Sequence, residues 1–78
     1  MFERISFDPA VMGGRACIRG TRITVALVVN LVANGMTVGE ILDEYPALEA
    51  ADVRQALRYA SFLAGEENYP LGGASSVS

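Results

Sequence analysis

Three arginines in the segment from Gly13 to Val25 are the residues of this chain best suited to recognition chemistry. Arg15, Arg19 and Arg22 fall within eight residues, and all six basic residues of the chain are arginine. A guanidinium presents a planar fork of donors to a carboxylate or a phosphate, which an ammonium group does not. The segment predicts a recognition element, with nucleic acid as one candidate ligand, or a loop whose arginines pair with carbonyls and acids of their own domain. The two roles are compatible.

The other reactive side chains give little support for catalysis. The chain has no histidine, and its single cysteine, Cys17, lies between Ala16 and Ile18, which favours a small buried thiol over a nucleophile. The glycines around it match neither a Walker loop nor a dinucleotide-binding fingerprint. No convergent set of metal ligands is visible in the sequence. We therefore expect a protein that is not an enzyme and has no catalytic residue, metal or cofactor.

Composition limits the possible architecture. Seventy-eight residues suffice for one domain, and a chain of this size buries a modest core. Hydrophobic residues nevertheless make up 51% of the chain, and a homo-oligomer, expected to be a homodimer, or a tightly bound partner would hide the excess. No apolar run approaches the roughly 20 residues of a membrane span, and the first residues lack a signal-peptide core. With one cysteine, the simplest expectation is a soluble cytoplasmic protein without a membrane partner.

Charge is unevenly distributed along the chain. The net charge is -3, which argues against general affinity for nucleic acid. Residues 1–36 carry four arginines and two carboxylates, whereas residues 37–78 carry two arginines and seven carboxylates. The sequence therefore predicts a basic front and an acidic back.

Alternation and turn residues predict a small β-extension at the start. The stretch from Arg4 to Phe7 alternates polar and apolar residues, as a half-buried strand does. Asp8-Pro9 predicts the start of one helical turn, which Gly13-Gly14 would end. A second short strand is expected from Ala16 to Ile18. Two strands this short must pack on helices or pair across a dimer axis.

Three helices follow. Thr24 predicts a cap for a helix from Val25 to Asn34, apolar on nearly all sides and therefore buried, with Gly35 as its stop. Thr37 and Glu40 match a capping box that starts a second helix, which Pro46 ends. The inner face expected for this helix consists of Val38, Ile41, Leu42 and Tyr45. A third helix is predicted from about Ala50 to Ala64, and residues 66–78 are predicted to form a flexible tail.

The first two helices and the turn between them have the layout of a helix-turn-helix. The outer face of the second helix offers Glu40, Asp43 and Glu44, and acids repel phosphates, so this helix is expected to be a poor DNA reader. Asp43 and Glu44 are instead candidate partner-binding residues. Arg54 and Arg58, four apart on the third helix, have no intrahelical acid nearby. They are expected to pair with Asp43 or Glu44, or to serve in an interface.

Several segments of the chain together resemble the prokaryotic domain-of-unknown-function family DUF433. They are Asp8-Pro9, the run GGRACIRGTRITV, Gly35-Met36, the run EILDEYPAL and the third helix. The match covers about residues 4–63. The resemblance implies a mainly α fold, a three-helix homeodomain-like helix-turn-helix with a short N-terminal β-extension, as one domain over residues 1–65. The chain departs from the family pattern at Ala16, where proline is common, and at Glu49, where Thr or Ser would be a better helix cap.

The same resemblance implies a function. Members are regarded as antitoxins, often encoded beside a PIN-like nuclease toxin. The chain would then bind and neutralise such a toxin as a dimer. The alternative is a DNA-binding autorepressor, with or without a toxin partner, that contacts operator DNA through Arg15, Arg19 and Arg22.

Overall fold

Three helices and a two-stranded sheet make up the part of the chain that the computed structural model describes, residues 2–65. In chain order the elements are β1 Ile5–Ser6, a 3₁₀ turn Met12–Gly14, β2 Cys17–Ile18, α1 Val25–Ala33, α2 Val38–Glu44 and α3 Ala50–Leu63. The predicted fold class, mainly α with a short N-terminal β-extension, is confirmed. The tail predicted for residues 66–78 lies outside the described residues.

The β-extension is an antiparallel pair in which Ile5 is the partner of Ile18 and Ser6 is the partner of Cys17. The backbone N–H of Arg19 also donates to the carbonyl of Arg4 at 2.7 Å. Ile5, Cys17 and Ile18 are buried, so the pair packs on the helices. Such packing is required because an isolated two-stranded pair is marginally stable in water.

The connection between the two strands differs from the prediction. Asp8 Oδ1 accepts a hydrogen bond from the N–H of Ala10 at 2.9 Å, which makes a tight turn, and the helical turn comes later, at Met12–Gly14. Gly13 and Gly14 are therefore part of the turn and do not end it. Both have a positive φ, +68° and +85°, a conformation that glycine adopts without a steric penalty.

The loop from β2 to α1 is closed by its own backbone and by Thr21. The N–H of Ile18 donates to the carbonyl of Ile23 at 2.9 Å. The hydroxyl of Thr21 donates to the carbonyl of Ile18 at 2.8 Å and accepts the N–H of Ile23 at 2.9 Å. The loop is thus a compact turn, and it leaves the side chains of Arg19 and Arg22 exposed.

Helix α1 begins and ends close to the predicted residues. The hydroxyl of Thr24 accepts the N–H of Leu27 at 3.0 Å, and Gly35 follows the helix with φ +92°. The expectation that α1 is buried on nearly all sides is wrong. Val25 and Val28 are its buried residues, whereas its other apolar side chains are half-buried or exposed. One side of α1 therefore has no cover from residues 2–65.

Helix α2 confirms the predicted capping box. The N–H of Thr37 donates to Glu40 Oε1 at 2.8 Å, and the N–H of Glu40 donates to Thr37 Oγ1 at 3.1 Å. Ile41 is fully buried, and Leu42 and Tyr45 are half-buried, as expected of an inner face. Val38 was expected on that face but is 39% exposed, at the first residue of α2.

Helix α3 packs against both α1 and α2 and buries Val53 and Ala56 between them. The core is small, as the length of the chain predicts. It consists of Ile5, Ile18, Val25, Val28, Ile41, Leu48, Val53 and Ala56. Within residues 2–65, none of the helices is long and apolar enough to cross a membrane.

Candidate interaction surfaces

The best-defined electrostatic contact joins the start of the β-extension to the start of α3. Arg4 Nη1 lies 2.9 Å from Asp52 Oδ1 and 3.1 Å from Glu49 Oε1. Asp52 is buried, and its second oxygen, Oδ2, accepts the N–H of Glu49 at 2.8 Å. The hydrogen bonds to Asp52 and Glu49 raise the pKa of Arg4 above its ordinary value. This contact holds the β-extension against α3 and is structural.

Sequence reasoning missed this contact. It treated Glu49 as a poorer helix cap and gave Asp52 no partner, whereas Asp52 accepts the N–H of Glu49 and also pairs with Arg4. The backbone N–H of Arg4 is further held by Gln55 Oε1. Two hydrogen bonds lower the pKa of Glu3. The larger effect comes from the bond between its carboxylate and its own backbone, and the smaller from the bond with the side chain of Gln55. The available signal was the presence of two acids, Glu49 and Asp52, at the start of α3. It does not identify Arg4, near the beginning of the chain, as their partner.

The structure brings two of the three predicted arginines together. Arg19 and Arg22 line one shallow depression beside Asp8, and both side chains are exposed. Arg15 is also exposed but lines a different groove, the one between α1 and α3. The basic segment of the sequence is therefore not one basic patch.

None of these three arginines forms an ion pair or a side-chain hydrogen bond with another residue of the range 2–65. The expectation that the arginines tie the loop to its own domain fails, because Thr21 and the backbone close the loop without them. The three guanidinium groups remain available to solvent or to a ligand.

The acidic face of α2, which we define as Glu40, Asp43 and Glu44, is exposed. These three residues and the half-buried Met36 line a shallow depression. The carboxylate of Glu40 is used in the capping box, whereas Asp43 and Glu44 have no side-chain partner in the described part of the chain. The acidic face therefore carries charge that the rest of the domain does not neutralise.

Arg54 and Arg58 do not pair with this acidic face. Both are exposed on α3, and neither forms an ion pair or a side-chain hydrogen bond with any of residues 2–65. The prediction that they pair with Asp43 or Glu44 is wrong, because α3 presents its buried residues, Val53 and Ala56, to the neighbouring helices and its arginines to solvent.

An exposed aromatic face lies beside the C-terminal half of α3. We define it as Phe7, Tyr59, Phe62 and Leu63. The ring centroids of Phe7 and Tyr59 are 5.7 Å apart, and those of Tyr59 and Phe62 are 6.4 Å apart. Phe2 contacts this face with its ring 5.1 Å from that of Tyr59. Phe62 and Leu63 are 65% and 63% exposed, far more than their apolar character favours.

An apolar groove continues from the aromatic face. Its walls include Ala26 and Val29 of α1 and Ala60 of α3, and Tyr59 and Leu63 belong to both the groove and the aromatic face. Its volume is about 550 Å³. Among residues 2–65, the groove has a single charged lining residue, Arg15, and no carboxylate. The uncovered side of α1 and the aromatic face thus form one continuous apolar surface.

Cys17 is 1% exposed and lies in β2, as expected for a small buried thiol. In the described range, no group of three or more His, Cys, Asp or Glu side chains is placed to hold a metal ion.

Comparisons with known proteins agree with the resemblance. The model of the family "Protein of unknown function (DUF433)" matches residues 5–60. The uncharacterized protein y4eO of Sinorhizobium fredii is 38% identical over 75 residues, which cover 96% of this chain but 31% of that protein. The crystal structure of a DUF433 member protein from Anabaena variabilis has a TM-score of 0.74 and 37% sequence identity, and the match covers 80% of this chain and 61% of that one.

The chain spans about a third of the curated relative and less than two thirds of the solved one. The region matched by the family model contains the β-extension, the arginine-bearing loop, α1, α2 and α3 up to residue 60. The family match covers most of the chain, and the relatives agree with it in sequence and in fold. The protein belongs to the DUF433 family.

Proposed function

We propose that this protein is an antitoxin-type protein that binds and neutralises a PIN-like nuclease toxin through the acidic face of α2. The observation that carries the proposal is the exposed, unneutralised charge of Asp43 and Glu44 beside the half-buried Met36. A ribonuclease binds RNA through a basic surface, and an acidic protein surface is complementary to it. Such a complex would act in the cytoplasm, where both proteins are made.

The shape of α2 supports this role. The capping box fixes the first turn of the helix, and the buried Ile41 fixes its rotation, so the acidic face is held on a rigid element. Preorganised charges lose less conformational entropy on binding than charges on a loop. A small apolar centre with an acidic rim also matches the usual anatomy of a protein interface, because Met36 supplies apolar contact area beside the charges.

The test uses a PIN-domain ribonuclease encoded next to the gene for this chain, with cleavage of a fluorogenic RNA as the readout. The wild-type chain is expected to inhibit cleavage stoichiometrically. Asp43→Asn together with Glu44→Gln keeps the size of both side chains and is expected to weaken inhibition at least tenfold, an energy of about 1.4 kcal/mol. Arg54→Gln with Arg58→Gln, on the exposed side of α3, is the matched control and should inhibit like wild type.

Three results contradict the proposal: no inhibition by the wild-type chain, full inhibition by the Asp43/Glu44 variant, or equal loss in the control. Circular dichroism of each variant separates loss of the surface from loss of the fold. Because both acids are exposed and have no partner among residues 2–65, we expect their helicity to match wild type.

A second candidate function, a DNA-binding autorepressor, is favoured by the arginines. Arg15, Arg19, Arg22, Arg54 and Arg58 are all exposed and make no ion pair with residues 2–65. Arg54 and Arg58 lie one turn apart on α3, about 6 Å along the helix axis. If this domain contacts DNA, α3 is better suited to it than α2, because α3 presents arginines where α2 presents acids.

The test for this second function is the salt dependence of binding to a duplex that spans the promoter of the gene. Binding through arginine contacts to phosphates should weaken steeply with salt, and each lost contact should reduce the slope of log K against log salt by about 1. We expect the double variant Arg19→Ala with Arg22→Ala to lose two phosphate contacts and therefore to reduce this slope by about 2. The autorepressor function is contradicted if the chain does not bind the duplex, or if no arginine substitution changes the binding. Neither result bears on the antitoxin proposal, which has a separate test.

A further inference from the structure

The aromatic face and the adjoining groove form an apolar surface that the other residues of the range 2–65 do not cover. Tyr59 and Leu63 belong to both, so the two features are continuous. From the exposed fractions, the rings of Phe7 and Phe62 alone leave on the order of 200 Å² of apolar surface in water. Patches of this kind on soluble proteins mark interaction sites.

This surface offers exposed apolar side chains and a groove side by side. Phe62 and Leu63 are exposed at the end of α3, and Leu63 also lines the groove between α1 and α3. A two-fold axis at this position would place the exposed side chains of one copy in the groove of the other, and the reverse. An isologous interface requires that relationship, because each copy must offer both the knob and the hole.

Electrostatics also favour a second copy as the occupant. The acidic face is on α2, and Asp52 and Glu49 are held by Arg4. Among the described residues, those that line the groove and form the aromatic face include no carboxylate, and Arg15 is the one charged residue among them. Two copies that meet at this surface therefore bury no carboxylate of these residues.

The small size of the buried core is a further reason to expect a second copy at this surface. The buried core consists of eight apolar side chains, which is small for a chain with 51% hydrophobic residues. A second copy is present whenever the chain is made, so it covers the apolar surface without depending on any other gene product. The exposed rings and the walls of the groove would form the apolar centre of such an interface, and a stable interface buries about 800 Å² per partner.

We propose that this face, Phe62 and Leu63 of one copy in the α1–α3 groove of the other, is the interface of a symmetric homodimer. It leaves the acidic face of α2 and the exposed arginines of the β2–α1 loop free on both copies. The proposal rests on apolar surface alone and does not depend on whether the chain neutralises a toxin or binds DNA.

The first test is light scattering coupled to gel filtration at concentrations on the order of 10 μM. The wild-type chain is expected to have the mass of a dimer. Phe62→Glu and Leu63→Glu should each be monomeric with wild-type helicity, because both residues are exposed in the single copy. Val38→Glu is the matched control: Val38 is also an exposed apolar residue, it lies on α2, and this variant should remain dimeric.

The second test needs no substitution. In a mixture of isotope-labelled and unlabelled wild-type chains, filtered NOE spectra should show contacts between the ring of Phe62 and the methyl groups of Val29 on the other copy. The melting temperature should rise with protein concentration, as it does for a dimer whose subunits stabilise each other. A monomeric wild-type chain, a dimer that lacks these contacts, or a groove filled by residues 66–78 of the same copy overturns the proposal.

Discussion

Arg4 and Asp52 are in direct contact although 48 residues separate them in sequence, with Arg4 Nη1 2.9 Å from Asp52 Oδ1. The other oxygen of the Asp52 carboxylate accepts the backbone N–H of Glu49, the N-cap residue of α3. One buried side chain therefore positions the β-extension and starts a helix. The packing of the β-extension and the integrity of the first turn of α3 must consequently depend on each other.

Replacing Asp52 with alanine tests this dependence. The substitution removes the acceptor for the N–H of Glu49 and the buried partner of Arg4, and we expect the free energy of unfolding to fall by about 2 kcal/mol, as for loss of a hydrogen bond to a charged group. Urea unfolding measures it. Asp43→Ala is the control, because Asp43 is exposed and has no partner among residues 2–65, and should stay within about 0.5 kcal/mol of wild type. Equal losses in both variants would contradict the structural role of Asp52.

The pH dependence of stability gives a second prediction. Hydrogen bonds lower the pKa of Glu3 below its ordinary value of 4.5, so the folded chain binds this proton less readily than the unfolded chain. The contribution of Glu3 to stability is therefore complete above pH 4.5 and is lost as the pH falls through the lower, folded pKa. Between pH 7 and pH 3, the wild-type chain should lose more stability than Glu3→Gln. Parallel curves for the two chains would show that the hydrogen bonds at Glu3 contribute nothing.

Thr21 is predicted to control the shape of the loop that carries Arg19 and Arg22. Thr21→Val keeps the size of the side chain but removes both hydroxyl hydrogen bonds, and we expect a loss of about 1.5 kcal/mol in the free energy of unfolding. Thr21→Ser keeps the hydroxyl and should lose much less. If serine and valine are equally destabilising, the methyl group and not the hydroxyl maintains the loop.

Arg22 should contribute little to stability. Its side chain is exposed and makes no ion pair with residues 2–65, so Arg22→Lys and Arg22→Ala should both unfold within about 0.5 kcal/mol of wild type. Thermal unfolding of the two variants is sufficient to check this. A loss above about 1 kcal/mol in the lysine variant would indicate that the fork of the guanidinium has a partner within the folded chain.

The parts of the fold that could be predicted from sequence are those with local causes. Thr24 and Thr37 each accept the N–H three residues later, and Glu40 accepts the N–H of Thr37 three residues earlier. Gly35 follows α1 with the positive φ that its type favours. These signals act over three or four residues, so spacing alone reveals them. The order of the elements follows from the same local signals, and the structure agrees with it.

The side-chain partners could not be predicted, because they are set by packing between distant segments. Nothing near Arg4 indicates that it meets Asp52, and the crowding of arginines in one segment does not show that Arg15 turns to the α1–α3 groove while Arg19 and Arg22 remain together. Arg54 and Arg58 were given acidic partners by elimination, but the rotation of α3 is set by Val53 and Ala56 in the core. Local rules determine where a helix starts, and the core determines which way its charges point.

The burial of Cys17 has a practical consequence. It is the single cysteine of the chain, it is 1% exposed, and it lies in β2, which is paired with β1. A thiol reagent can reach it only when the β-extension separates from the helices, so the rate of its modification in dilute denaturant reports the free energy of that local opening. The native chain thus carries its own kinetic probe at the strand pair that Arg4 and Asp52 hold in place.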